Sequence, residues 1–138
     1  MPFPRTEIDC VSVSRMLIGS NWFLGYSHTS AAQDMIIHNT NKTYKEVADV
    51  MEVFMKEGID GTVGFVQNEK FCDAIKETEQ RTGKKMVVIS TPGIFTEGTP
   101  EADDKNRELF DKEAELGATV SMPHTCSTDA LLDRTTRT

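Results

Sequence analysis

The sequence has no long hydrophobic run, no apolar leader and few cysteines. No window approaches the roughly 18 consecutive apolar residues that a membrane-spanning helix needs. The first ten residues, MPFPRTEIDC, lack the apolar core of a secretion signal. The three cysteines, Cys10, Cys72 and Cys126, form no CxxC pair, which favours reduced thiols over a disulfide framework. These features together predict a cytoplasmic protein with no membrane partner.

Basic residues are also scarce. The chain has 15 Lys and Arg against 22 Asp and Glu, with a net charge of −7. Nucleic acids and anionic membranes are bound through clusters of Lys and Arg, so this balance argues against both as partners. The segment after the first predicted strand has neither GxGxxG nor GxxxxGK spacing, the usual marks of a phosphate-binding loop. A small molecule is therefore the expected partner.

Three segments carry helix signals at both ends. Thr43 and Glu46 have the spacing of a capping box, an apolar stripe with a repeat of three or four residues follows, and Gly58 ends the helix. A second helix is expected over residues 69–81, and a third begins at Thr99-Pro100 and runs to Leu116. A fourth is predicted from Asp129 to the last residue, 138, without a stop signal. Residues 34–42 are expected to form a polar connection.

Short apolar runs precede or follow each of these helices. They predict core strands over residues 16–18, 62–66, 86–89 and 118–122, after a strand or half-hairpin within residues 8–13. Strand–helix alternation with units of 25–35 residues indicates parallel strands joined by crossovers. We expect an α/β fold, a parallel (βα)4 half of a TIM barrel, with residues 1–138 as one partial domain that stops within its fourth helix. A doubly wound sheet would also satisfy the alternation.

Polar and aromatic residues collect where the predicted strands end, and in barrels the active site lies at these ends. His124 is the predicted catalytic acid/base, or a neutral donor to a carbonyl, and His28 is a second catalytic candidate. A metal could be drawn from His28, His124, Cys126 and Glu69 or Asp129, but the spacing matches no known motif, so no metal ligand is predicted. The predicted substrate-binding residues are Asn21, Trp22, Tyr26, Gln67 and Thr91.

Three stretches carry a resemblance to a known family. They are VSVSRMLIGSNWFLGY from Val11, Gly58-Ile59-Asp60, and SMPHTCSTDALL from Ser121. In order and spacing they resemble the N-terminal half of the aldo-keto reductase barrels. The resemblance implies a hairpin that seals the barrel floor and His124 as the catalytic histidine. It also implies NADPH as a cofactor, bound mostly by a second half of the barrel.

The chain departs from that family at two positions. Phe65 stands where the resemblance places the catalytic tyrosine, and Thr91-Pro92 stand where the catalytic lysine would end the third strand. We therefore expect the N-terminal half of a diverged barrel enzyme that transforms a small oxygenated or carbonyl-bearing molecule. One alternative is a metal-dependent isomerase, lyase or hydrolase. Another is a catalytically silent chain whose open sheet edges are covered by a second copy or by a missing C-terminal half-barrel.

Overall fold

The fold is α/β, with one parallel sheet and a separate hairpin, in a computed structural model that describes residues 3–132. The hairpin pairs β1 (Arg5–Ile8) with β2 (Val11–Ser14) in antiparallel register, and its turn places Asp9 at a φ of 53°. The sheet contains β3 (Leu17–Gly19), β4 (Gly61–Gly64), β5 (Val87–Ser90) and β6 (Val120–Ser121). All three strand pairs are parallel, and the order across the sheet is the order along the chain.

The helices begin and end largely where the capping residues indicate. Thr43 accepts from Lys45 N and forms a capping box with Glu46, Asn68 accepts from Phe71 N, and Thr99 accepts from Ala102 N. The helices are α1 (Asn21–Leu24), α2 (Ala31–Thr40), α3 (Tyr44–Lys56), α4 (Glu69–Thr82), α5 (Pro100–Glu115) and α6 (Thr125–Thr128), followed by a 3₁₀ turn at Asp129–Leu131. Within residues 3–132 no helix is long and apolar enough to cross a bilayer.

Two predictions about helices were wrong. The expected polar connection over residues 34–42 is mostly helix α2, whose start is capped by Ser30 Oγ accepting from Gln33 N. This helix has no apolar stripe, because Met35 and Ile36 are exposed and only Ile37 is buried, so periodicity could not reveal it. The last helical turn begins at Thr125, four residues before the predicted start, and the rest of that predicted helix, residues 133–138, lies outside the described residues.

The core lies between the sheet and the helices that follow its strands. Val47, Met51 and Met55 of α3 and Phe71 and Ile75 of α4 are buried in one cluster. The strands add Ile18 and Val88 to it, whereas Leu17 is exposed and Val87 is half-buried. Ile89, which alternates with Val88, is buried too but outside this cluster, so only part of the other face of the sheet is exposed.

A polar network attaches the hairpin to the start of β4. Arg5 Nη2 donates to Asp60 Oδ2 at 2.7 Å, and Ser14 N donates to Asp60 Oδ1 at 3.1 Å. In return, Asp60 N and Gly61 N donate to Ser14 Oγ. Partial burial alone would raise the pKa of the Asp60 carboxyl, but the bonds from Arg5 and Ser14 outweigh it and leave that pKa below its ordinary value. The carboxylate thus links both hairpin strands to the sheet.

Replacing Asp60 with Asn should lower the free energy of unfolding by about 1 kcal/mol at pH 7. A carboxyl whose folded pKa is depressed contributes stability above its unfolded pKa and loses it as the pH falls through the folded value. The difference between wild type and Asp60→Asn should therefore shrink once the pH falls below about 3.9, the ordinary value for an aspartate. Urea unfolding at pH 7 and at an acid pH measures it.

The matched control is Asp104→Asn, which removes an exposed ion pair with Arg107. Exposed pairs of this kind contribute little, so this variant should follow the wild type at both pH values. An Asp60→Asn deficit that stays constant from pH 7 to the acid limit would contradict the role given to the carboxylate.

Candidate functional site

A pocket of about 520 Å³ lies at the carboxyl ends of the four parallel strands. Because parallel strands deliver their ends to one edge of a sheet, the segments after β3, β4, β5 and β6 meet there. Four of the seven predicted site residues line this pocket: Asn21, Trp22, Thr91 and His124. These four residues, which the sequence analysis selected because they follow strand ends, are up to about a hundred positions apart in the chain and lie together in the fold. The full lining is Gly19, Ser20, Asn21, Trp22, Val63, Gly64, Phe65, Thr91, Met122, Pro123, His124 and Thr125.

His124 is held from three directions. Its backbone N–H donates to Pro92 O at 2.8 Å, which ties the segment after β6 to the segment after β5. Its ring stacks on Phe65, with centroids 5.6 Å apart and an interplanar angle of 23°. Its Nδ1 accepts the backbone N–H of Cys126 at 3.2 Å, the bond that caps α6. An accepting Nδ1 carries no proton, so the neutral ring has its N–H at Nε2.

His28 reaches the pocket only through Asn21. Asn21 Nδ2 lies 3.0 Å from His28 Nε2, and the backbone of His28 is left-handed, with a φ of 58°. His28 and Tyr26 are exposed and do not line the pocket. His28 is therefore placed to orient the Asn21 amide, whereas Tyr26 contributes no surface to the cavity.

The segment that carries Asn21 and Trp22 is anchored from outside the pocket. Lys70 Nζ donates to Phe23 O and to Asn41 O, both at 2.8 Å, and Asn41 Nδ2 donates to Trp22 O at 3.0 Å. Burial lowers the pKa of the Lys70 ammonium. Because α1 is only one turn long, these bonds to its carbonyls replace the support that a longer helix would have.

The loop after α1 has an anchor of its own. Asp34 accepts from the Ser27 hydroxyl at 2.6 Å and from Ser27 N at 2.7 Å. The hydroxyl bond is the main reason that the pKa of the Asp34 carboxyl lies below its ordinary value. The carboxylate at the start of α2 thus fixes the turn that leads to His28.

Gln67, one of the predicted substrate-binding residues, is not part of the lining of this pocket. After β4 the chain turns, with Asn68 N donating to Phe65 O, and Gln67 Nε2 instead donates to Glu113 Oε1 at 3.3 Å. Phe65 takes the pocket position from this segment. Sequence reasoning did not choose Phe65 as a site residue, because it fell inside the strand predicted over residues 62–66, although the resemblance did align it with a catalytic position.

The pocket is apolar on much of its surface and uncharged. Trp22, Phe65, Met122 and Pro123 supply apolar surface, and no Lys, Arg, Asp or Glu is among the described lining residues. The polar groups are the Asn21 amide, the His124 ring and hydroxyls that include that of Thr91. This combination suits an uncharged ligand with an oxygen that can accept a hydrogen bond.

The residues considered as metal ligands do not converge. In residues 3–132, no three His, Cys, Asp or Glu side chains are grouped so that they could hold a metal ion. Cys126 is exposed, and Cys72 is buried in the hydrophobic core, where its thiol donates to Val66 O. Burial raises the pKa of the Cys72 thiol, as expected for a packing residue rather than a nucleophile.

Comparisons of the chain with protein-family models, with curated proteins and with solved structures found no significant match to any of them.

Proposed function

We propose that the pocket binds an uncharged, carbonyl-bearing small molecule whose oxygen accepts a hydrogen bond from His124 Nε2–H. The observation that carries this proposal is the bond from Cys126 N to His124 Nδ1. It selects the tautomer that presents a donor at Nε2. A neutral donor of this kind polarises a carbonyl without adding a charge to an apolar pocket. Of the two roles considered for His124, the geometry favours the donor over the general base.

The same proposal includes the finer architecture, the first half of a (β/α)8 barrel. Doubly wound sheets reverse their strand order at a switch point, whereas a barrel adds strands in chain order. The order β3-β4-β5-β6 has no reversal, and a hairpin precedes the first strand. In this reading, a complementary half-barrel or a second copy would pair with the outer edges of β3 and β6.

Aldo-keto reductase-like ancestry is part of the proposal and is supported by the contact between Phe65 and His124. These are the positions that the resemblance aligns with the catalytic tyrosine and histidine, and the two rings stack. The two aligned positions hold neither a tyrosine hydroxyl nor a lysine, the groups through which that family moves a proton. The proposal is therefore binding and polarisation of the carbonyl group.

The described pocket residues offer no contacts for the phosphates of NADPH, whose site the resemblance places mostly in a second half of the barrel. The pyrophosphate and 2′-phosphate would need basic side chains or a glycine-rich loop at a helix start, and the described lining offers neither a lysine nor an arginine. No step through a nicotinamide follows from these residues.

Ligand binding can be followed through Trp22, which is the sole tryptophan of the chain and lines the pocket. Titration with cyclohexanone should change its fluorescence saturably. Cyclohexanecarboxylate, of similar shape but charged, should not, because the pocket has no described cation to pair with it. His124→Leu should weaken cyclohexanone binding about three- to tenfold, the effect of one neutral hydrogen bond.

One control variant and one direct measurement test the role given to His124. His38→Gln changes a histidine outside the pocket lining and should leave the affinity for cyclohexanone unchanged. Nitrogen-15 NMR of the histidine rings should show the His124 proton on Nε2. A proton on Nδ1, or equal binding of the ketone and the carboxylate, would refute the proposal.

A further inference from the structure

Glu113 is a buried carboxyl group that the proposed binding chemistry does not use. It lies on α5 with 1% of its surface exposed, between that helix and the sheet. Both of its oxygens accept hydrogen bonds: Oε2 from the Ser90 hydroxyl, and Oε1 from Gln67 Nε2. Ser90 Oγ in turn lies 3.3 Å from Ser121 Oγ. One carboxyl group therefore connects, directly or through Ser90, the segment after β4 and the ends of β5 and β6.

Each of these three partners is within two positions, along the chain, of a residue that lines the pocket. Ser90 immediately precedes Thr91, Ser121 precedes Met122, and Gln67 follows Phe65 by two residues. The backbone joins the same strand ends, since Thr91 N donates to Gly64 O and Met122 N donates to Ser90 O. A shift of the Ser90 side chain would thus act on the backbone that presents Thr91.

Stability alone does not account for a carboxyl group in this position. Removing a carboxylate from water costs several kcal/mol, a cost that an apolar side chain at the same place would not carry. An interface between a helix and a sheet would normally be filled by an apolar side chain. The hydrogen bonds of Glu113 fix the positions of Ser90 and Gln67 relative to α5, which apolar packing at that point would not do.

We infer that Glu113 is a positioning residue for the pocket, holding the ends of β4, β5 and β6 so that Phe65, Thr91 and His124 face one ligand. This inference rests on the proposed function for its binding readout. The carboxyl group touches no ligand itself and acts through Ser90, Ser121 and Gln67.

The test compares Glu113→Met with Glu113→Gln. Methionine fills the space but cannot accept the hydrogen bonds, whereas glutamine keeps one acceptor and gains a donor for Ser90 Oγ. We expect Glu113→Met to unfold at a lower urea concentration than the wild type, because Ser90 and Gln67 lose their buried acceptor, and to bind cyclohexanone at least about tenfold more weakly. Glu113→Gln should remain within about threefold of the wild-type affinity. Glu108→Met, on the exposed face of the same helix, is the control and should change neither quantity.

Amide NMR signals give a readout that needs no ligand. Those of Thr91 and His124 should move in Glu113→Met and stay in place in Glu113→Gln and Glu108→Met. If the wild type binds no ketone, the proposed function fails, and these signals alone decide the role of Glu113. The inference is overturned if folded Glu113→Met binds cyclohexanone as tightly as the wild type. Unchanged Thr91 and His124 signals in Glu113→Met would equally overturn it. If that variant does not fold, Ser90→Ala, which removes the same link to β5, is measured in its place.

Discussion

Replacing Phe71 with alanine is expected to lower the free energy of unfolding by about 3–5 kcal/mol. Phe71 is on the inner face of α4, has 0% of its surface exposed and is the largest fully buried side chain among the described residues. Truncation removes its buried surface and leaves a cavity that the surrounding helices and strands can only partly fill. Because domains of this size are stable by about 5–15 kcal/mol, the loss is a large fraction of the total. Urea unfolding followed by circular dichroism measures it.

Phe95→Ala is the matched control for Phe71. Phe95 is 43% exposed, and its ring centroid lies 5.4 Å from Lys105 Nζ, so its truncation should cost at most about 1 kcal/mol. Equal losses for the two variants would show that α4 does not pack on the sheet through Phe71.

Gly64→Ala is expected to destabilise the protein by about 1–3 kcal/mol, through overlap rather than through a cavity. A Cβ at Gly64 would lie 2.3 Å from Ser20 Oγ, 2.5 Å from Ser20 Cβ and 3.1 Å from the Phe71 ring. Ser20 and Phe71 are both buried, so neither can move away freely. The ends of β3 and β4 would have to separate at the edge of the pocket. The urea midpoint and the Trp22 emission should therefore change together.

A second substitution tests the cause of this loss. Ser20 makes no side-chain capping bond to α1, so Ser20→Gly removes the closest overlap without removing a cap. Ser20→Gly combined with Gly64→Ala should recover most of the stability that Gly64→Ala loses. Gly19→Ala is the control in the neighbouring strand, because a Cβ there meets nothing within 4 Å. A double variant no more stable than Gly64→Ala alone would contradict the steric explanation.

Local signals in the sequence determined the main elements. Capping residues and apolar stripes are properties of neighbouring residues, so α3, α4 and α5 were found within a residue or two of their observed ends. The strand alternation predicted a parallel sheet, and its four strands are parallel and in chain order. Helix α2 was missed because Ile37 is its only buried residue, so periodicity had no apolar stripe to detect.

The candidate site was predictable only as far as the strand-end rule reaches. Asn21, Trp22, Thr91 and His124 follow strand ends and do share a pocket, but Gln67 lies beyond a turn that directs it to Glu113 instead. The stack of His124 on Phe65 joins residues 59 positions apart, and the Glu113 network joins residues 23 and 46 apart.

The sequence by itself determined where helices and strands begin, and which strand ends carry polar groups, because short-range hydrogen bonds and side-chain periodicity decide those features. Only the tertiary structure decided which of these polar groups face one another. Burial of Glu113 and the placing of Phe65 against His124 depend on the packing of α5 on the sheet and on the course of the chain after β4. Such contacts arise from the whole fold, and no spacing along the chain encodes them.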